Sequence, residues 1–248
     1  MPELPRELSK PLTRLSAGDL SRLTRITERA KSNAEEQFNN LYSALDVTLL
    51  RHAFYKLDPS KAPGIDGQTV KQYEENLESN LEDLASRLHR QSYQPKPSRR
   101  VEIAKGNGKT RPLGIACIED KIVQRALVMI LERIYEEDFL PISFGFRPGK
   151  SCHDALCLLG EQIATKKVNW ISDADIKGFF NNVDHQDLME LLRKRISDPR
   201  MLKLIWRFLK AGVMIDDRVL IKRLARYKLE LAVEKSKLLR FGRFAERD

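Results

Sequence analysis

The sequence predicts an α+β fold, and three observations predict it. Apolar residues recur at three- and four-residue steps through several long segments, the spacing that buries one face of a helix. One stretch near the middle, residues 100–115, reads as a β-hairpin around Asn107-Gly108, the favoured chemistry of a tight turn. The composition is globular: of 248 residues, 42% are apolar and 32% charged, unlike the weakly apolar mixture of a disordered chain.

Taken in order, residues 1–20 are rich in Pro, Leu and basic side chains without a clear period, and read as a loose arm. From Leu20 to Leu57 the pattern is helical and mostly polar, with Phe38, Leu41, Leu45, Leu49 and Phe54 recurring at short steps. Pro59, Pro63, Gly64 and Gly67 make Asp58–Gln68 a loop. Val70, Tyr73, Leu77, Leu81, Leu84 and Leu88 then form one apolar stripe of a strong helix, which Pro95 and Pro97 close off.

The hairpin strands are expected at Arg100–Ala104 and Thr110–Ile115. A second strong helix runs from about Asp120 to Glu136, and a loop with Gly145, Pro148 and Gly149 spans Ser143–Ser151. A helix covers Asp154–Ala164. Trp170–Ile176 reads as a buried strand ending in acids. Asp184 caps a helix reaching about Ile196, and another helix covers Met201–Ala211. After Met214 the pattern breaks; a basic helix from Leu220 and a short apolar strand near Leu238–Phe241 follow. No internal repeat or low-complexity tract is present.

The net charge of +9 favours a polyanionic partner, with nucleic acid the first candidate. The charge is clustered. Lys96, Arg99, Arg100, Lys105, Lys109 and Arg111 face a single acid, Glu102, within 18 residues, and residues 220–248 hold nine basic against four acidic side chains. The three cysteines, Cys117, Cys152 and Cys157, form no Cys-x-x-Cys pair, which argues against a zinc site. Their low, odd number fits a reducing cytoplasm, where they serve as small apolar residues. No apolar run is long enough for a bilayer, and Met1–Ser9 lacks the apolar centre of a signal peptide. A cytoplasmic location without membrane contact is expected.

Chemistry concentrates in Ile171-Ser172-Asp173-Ala174-Asp175-Ile176-Lys177-Gly178-Phe179-Phe180. A strand that delivers a carboxylate to its end is suited to Mg²⁺, which takes oxygen ligands and shares them with substrate phosphates. The same carboxylate also serves as an ordinary cap or turn residue when it stands alone. His153 and His185 are isolated and fit polar helix-end roles better than catalysis.

Four further segments change the weighting. Lys61-Ala62-Pro63-Gly64-Ile65-Asp66-Gly67, the hairpin Val101–Ile115, Asp120-Lys121-Ile122-Val123-Gln124 and Ser143–Ser151 precede Asp173–His185. Together, in this order and at these spacings, the five segments resemble the group II intron reverse transcriptases. The resemblance runs from about residue 40 to 215 and resumes near Arg223. It implies an incomplete right-hand polymerase, with helical fingers carrying a β-hairpin, a partial palm and no thumb.

On that resemblance residues 1–57 would be an N-terminal helical arm and 58–168 the fingers. Residues 169–216 would be a partial palm, and 217–248 a junction and basic remnant. Asp175 would be the first metal-binding catalytic aspartate, with the Ile176 backbone carbonyl as a further Mg²⁺ ligand. Phe180 would be the steric gate against a ribose 2′-hydroxyl. Lys105 and Arg111 would grip the triphosphate of an incoming dNTP, with Arg147 near nucleotide or template. Lys96, Arg99, Arg100 and Lys150 would bind RNA backbone. Partners would be intron or template RNA and a DNA primer. Asp173 receives no role.

Two segments of the family pattern are absent: no Tyr-Ala-Asp-Asp string and no Pro-Gln-Gly string occurs. The chain follows the pattern to Asp216 and resumes by Lys222, which reads as an internal gap. Asp216-Asp217 is read as a loop, since no apolar strand is expected before it. The expectation is an RNA-directed DNA polymerase of the family that is defective in catalysis, with apolar surface left bare by lost palm strands. The alternative is a non-catalytic, maturase-like module that grips intron RNA.

Overall fold

The computed structural model describes residues 17–105, 108–176, 179–215, 218–220 and 237–240. The chain is a mixed assembly of helices with small sheets. The elements in order are α1 (Ala17–Ser32), a 3-10 turn (Tyr42–Ala44), α2 (Val47–Tyr55), α3 (Val70–Glu74), α4 (Leu77–His89), β1 (Ser98–Lys105), β2 (Lys109–Ile115), α5 (Ile118–Asp138) and α6 (Cys152–Thr165). They continue with β3 (Trp170–Asp173), α7 (Phe179–Asn182), α8 (His185–Arg193), α9 (Pro199–Lys210), β4 (Val213–Ile215), β5 (Arg218–Leu220) and β6 (Lys237–Arg240). Contacts divide the chain into two compact units, residues 1–137 with 189–222, and residues 138–188 with 223–248.

The first unit holds the core. All six stripe residues from Val70 to Leu88 are buried, as are Phe38, Leu41, Leu45, Leu49 and Phe54. They pack with Ile122, Val123, Ala126, Ile130 and Ile134 of α5 and with Met201 and Leu204 of α9. The stripe does not belong to one helix. It is cut between α3 and α4, where Asn76 leaves helical geometry and the Asn80 side-chain amide donates to the Tyr73 carbonyl at 3.0 Å.

The segment 20–57 is likewise broken, because residues 33–41 are claimed by distant backbone. Phe38 forms a parallel bridge with Ile196, and the Arg195 guanidinium donates to the carbonyls of Asn33, Ala34 and Glu36. Asp198 is fully buried. One of its oxygens accepts from the Tyr42 backbone N–H at 2.8 Å, the other from those of Arg200 and Met201, so it caps α9 and holds the 3-10 turn.

Helix α3 is short and owes its start to a capping box. The Thr69 hydroxyl accepts from the Gln72 N–H, and Gln72 returns the contact to the Thr69 N–H at 2.9 Å. Thr69→Ala is expected to cost about 1 kcal/mol, the usual price of losing such a cap, read as a lower urea midpoint at unchanged slope.

The sheet of the first unit runs β2-β1-β4-β5. Strand β1 pairs antiparallel with β2 over seven residue pairs, but meets β4 only at Ser98 and Arg99. The strand Val213–Ile215 corrects the expectation that no apolar strand stands before Asp216-Asp217: it pairs antiparallel with β5. Residues 216–217 lie outside the described residues, as does the basic helix expected after Leu220.

In the second unit β3 pairs antiparallel with β6, Trp170 opposite Arg240 and Asp173 opposite Lys237. The expectation of a buried strand is overturned. Trp170, Ser172 and Asp173 are exposed and only Ile171 is half-buried, because a two-stranded ribbon offers little to bury against. Helix α6 contains no buried residue, and Leu140, Ile142, Phe146, Leu156 and Trp170 are all more than half exposed. Of the cysteines, Cys117 is buried as expected, whereas Cys152 and Cys157 are exposed on α6. Among the described residues no helix is long and apolar enough to cross a membrane.

Candidate nucleic-acid interface

The hairpin follows from its sequence. Gly108 takes a positive φ of 71°, which the turn needs and a side chain would resist. The register then sorts the charges. Lys105 stands opposite Lys109 and Ile103 opposite Arg111, so positions 105, 109 and 111 share one face of the ribbon. Two-residue alternation puts Arg100 and Glu102 on the other face, where the Arg100 guanidinium pairs with the Glu102 carboxylate at 2.6 Å. The Arg111 side chain is exposed, and among the described residues it has no ion pair or side-chain hydrogen bond. The side chain of Lys105 lies outside the described residues.

Two other nominated RNA-binding cations of this unit are already engaged. The Lys96 ammonium lies 3.2 Å from the Asp66 carboxylate, and the Arg99 guanidinium donates to the Pro63 carbonyl at 2.9 Å. Both partners belong to the Lys61–Gly67 loop. The same loop receives the Lys121 ammonium on the Ala62 carbonyl at 2.8 Å. Its Gly64 backbone lies so close to Cys117 that a Cβ there would fall 2.6 Å from the Cys117 backbone.

Burial works against ionisation of Asp66, but hydrogen bonds from the Cys117 thiol and Lys96 outweigh it and hold the carboxyl below its usual range. Burial also opposes the charge on Lys96, and Asp66 more than compensates, raising it. The Cys117 thiol is pushed up mainly by burial. One layer deeper, the Asp120 carboxylate accepts from the Tyr93 hydroxyl and, at 3.2 Å, from the Lys96 backbone N–H. None of Asp66, Tyr93 or Asp120 stood out in the sequence as a contact. Their partners lie 24 to 30 residues away, and no local period signals such pairing.

The second unit carries the remaining candidates. Asp175 is exposed two residues beyond β3, and the Ile176 side chain is exposed beside it. Phe180 falls in α7; its side chain lies outside the described residues. Arg147 is half-buried: it donates to the carbonyls of Leu140 and Ser143 at 3.1 and 2.9 Å and lies over the Phe139 ring. The Lys150 ammonium sits 5.8 Å from the Phe144 ring centre.

Magnesium is the ion that the resemblance implies. A pair of divalent ions needs several oxygen ligands around it. Among the described residues no three His, Cys, Asp or Glu side chains gather into such a set, so these residues do not fit a magnesium pair.

Residues 94–242 match the family model described as reverse transcriptase (RNA-dependent DNA polymerase). The chain is 42% identical over 153 residues to Protein YkfC of Escherichia coli K12, an overlap of 60% of this chain and 40% of that protein. It is 37% identical over 196 residues to the group II intron-encoded protein LtrA of Lactococcus lactis subsp. cremoris, covering 77% of this chain and 32% of the relative. A shorter match, 30% over 105 residues, links it to nuclear intron maturase 1 of Arabidopsis thaliana, covering 42% of this chain and 14% of the relative. The chain thus spans less than half the length of these relatives. With the match covering more than half its residues, the chain belongs to the reverse transcriptase family, in the group II intron reverse transcriptase and maturase lineage.

Proposed function

We propose that this chain grips nucleic acid through its hairpin as a reverse transcriptase does, and does not join nucleotides. Residues 58–168 supply the fingers in this reading, 169–216 part of the palm, and 1–57 a helical arm. Asp175 and the Ile176 carbonyl are what remains of the catalytic metal site, and Phe180 is the sugar gate. Template or intron RNA is the partner. Primer DNA and dNTP would meet Lys105, Arg111 and Arg147 in a complete polymerase.

The observation that carries the reading is the hairpin face. Positions 105, 109 and 111 are basic and share one side, and the Arg111 guanidinium has no partner among the described residues. A fixed pair of strands presenting cations suits phosphate oxygens and gives affinity without reading sequence. Lys96, Arg99 and Arg100, once engaged internally, leave the phosphate contacts mainly to this face.

Fluorescence polarisation of a labelled single-stranded RNA tests it. Three phosphate contacts predict a slope near −2 in log affinity against log salt, and Arg111→Ala should reduce its magnitude by about 0.7. Binding that ignores salt, or a slope that Arg111→Ala leaves in place, would remove the hairpin from the interface.

A further inference from the structure

The hairpin is poorly held by its own sheet. Strand β1 meets β4 at only two residues, and β2 is an edge strand. A two-stranded ribbon is marginal by itself and needs support at its base. What fixes its base is the Lys61–Gly67 loop, far away in sequence. The loop touches the ribbon's way in through Lys96 and Arg99, and its way out through Cys117 and Lys121.

These contacts differ in kind. Gly64 brings backbone against backbone, a distance of approach no other residue permits. Pro63 and Ala62 offer carbonyls to two cations, Arg99 from the strand entering the ribbon and Lys121 from α5 after it. Asp66 takes the Lys96 ammonium while Gly64, two residues earlier, lies against the Cys117 backbone, so one short loop joins the entering and leaving segments. Asp120 repeats the closure beneath, joining Tyr93 and the Lys96 backbone to the first turn of α5.

We propose that the Lys61–Gly67 loop is a brace that aims the hairpin's basic face at phosphate, with Gly64, Asp66 and Arg99 as positioning residues that touch no ligand themselves. This rests on the reading of the hairpin as the phosphate-gripping element. The ligand chemistry is the phosphate oxygen, from a phosphodiester backbone or from a nucleoside triphosphate. The brace spends Lys96 and Arg99 on aiming, which leaves Arg111 and its neighbours to bind.

A double-mutant cycle on the full chain separates aiming from general stability. The probes are a labelled single-stranded RNA and a deoxynucleoside triphosphate, measured apart. Asp66→Asn and Gly64→Ala should each weaken binding by roughly two- to thirty-fold, the range expected for a residue that acts through another. In the Arg111→Ala background each should have little further effect, because the aimed group is gone. Reversing the ion pair, Asp66→Lys with Lys96→Asp, should recover most of the loss that Asp66→Lys causes alone.

Backbone hydrogen exchange provides a second measurement in the absence of ligand. Exchange should quicken in residues 98–115 of Asp66→Asn, with α4 and α5 unchanged. Full additivity with Arg111→Ala, or unaltered exchange in the hairpin, would overturn the brace while leaving the hairpin's role in binding intact. Loss of any Arg111→Ala effect on either probe overturns the hairpin reading, and the brace with it. An effect on RNA alone, or on the triphosphate alone, identifies which phosphate the brace serves.

Discussion

RNA-templated primer extension with magnesium and all four deoxynucleotides is expected to yield no product from this chain. Phosphoryl transfer in this family's chemistry asks for two divalent ions about 3.5–4 Å apart. Their mutual repulsion is roughly 4 kcal/mol in water and about 18 kcal/mol at an effective dielectric near 20. Several carboxylates are needed to offset that, and the sequence lacks the Tyr-Ala-Asp-Asp string that brings the others. One aspartate contributes a single negative charge against four positive ones. Asp175 is also exposed, so water screens even that contribution. Without the ions the main electrostatic stabilisation of the transition state is gone, and rates should fall by many orders of magnitude. Extension products that disappear on Asp175→Ala would show that a working metal site is assembled after all.

The second large effect is on stability. Asp198→Ala is expected to lower the unfolding free energy of the first unit by about 2–4 kcal/mol. Two losses add: the cap of α9, usually worth about 1 kcal/mol, and the acceptor of a buried Tyr42 N–H, worth about 1–3 kcal/mol when left unmet. Water cannot substitute, because Asp198 is fully buried. A thermal midpoint lower by roughly 5–15 °C corresponds to this range. Asp198→Asn keeps one carbonyl acceptor and should lose less. If Asp198→Ala melts within about 1 °C of the parent, the carboxylate does not hold the two segments together.

Where side chains repeat at a fixed step, the sequence was readable. The burial of the Val70–Leu88 stripe, the broad face of α5 and the two hairpin strands appear as expected, since burial of a periodic face is a local property, although the stripe is divided between α3 and α4. What escaped depended on contacts made across the chain. The break after Ser32 arises because Arg195 and Ile196 take up the backbone of residues 33–38, and nothing near Ser32 announces it. The exposure of β3 was misread because an apolar run signals a strand without saying how many neighbours it has. The internal contacts of Lys96 and Arg99 also went unseen, because a charge cluster does not reveal its partners.

The bridge between Phe38 and Ile196 closes a stretch of 158 residues (196 minus 38). On a ribosome adding ~5–20 residues per second, the N-terminal helices wait roughly 8–30 s before their partner emerges. Throughout that interval Phe38, Leu41 and Tyr42 have nothing to close over them from the far end of the unit. Surface left open for that long is what chaperones recognise, and the chain is expected to depend on them until α9 is made.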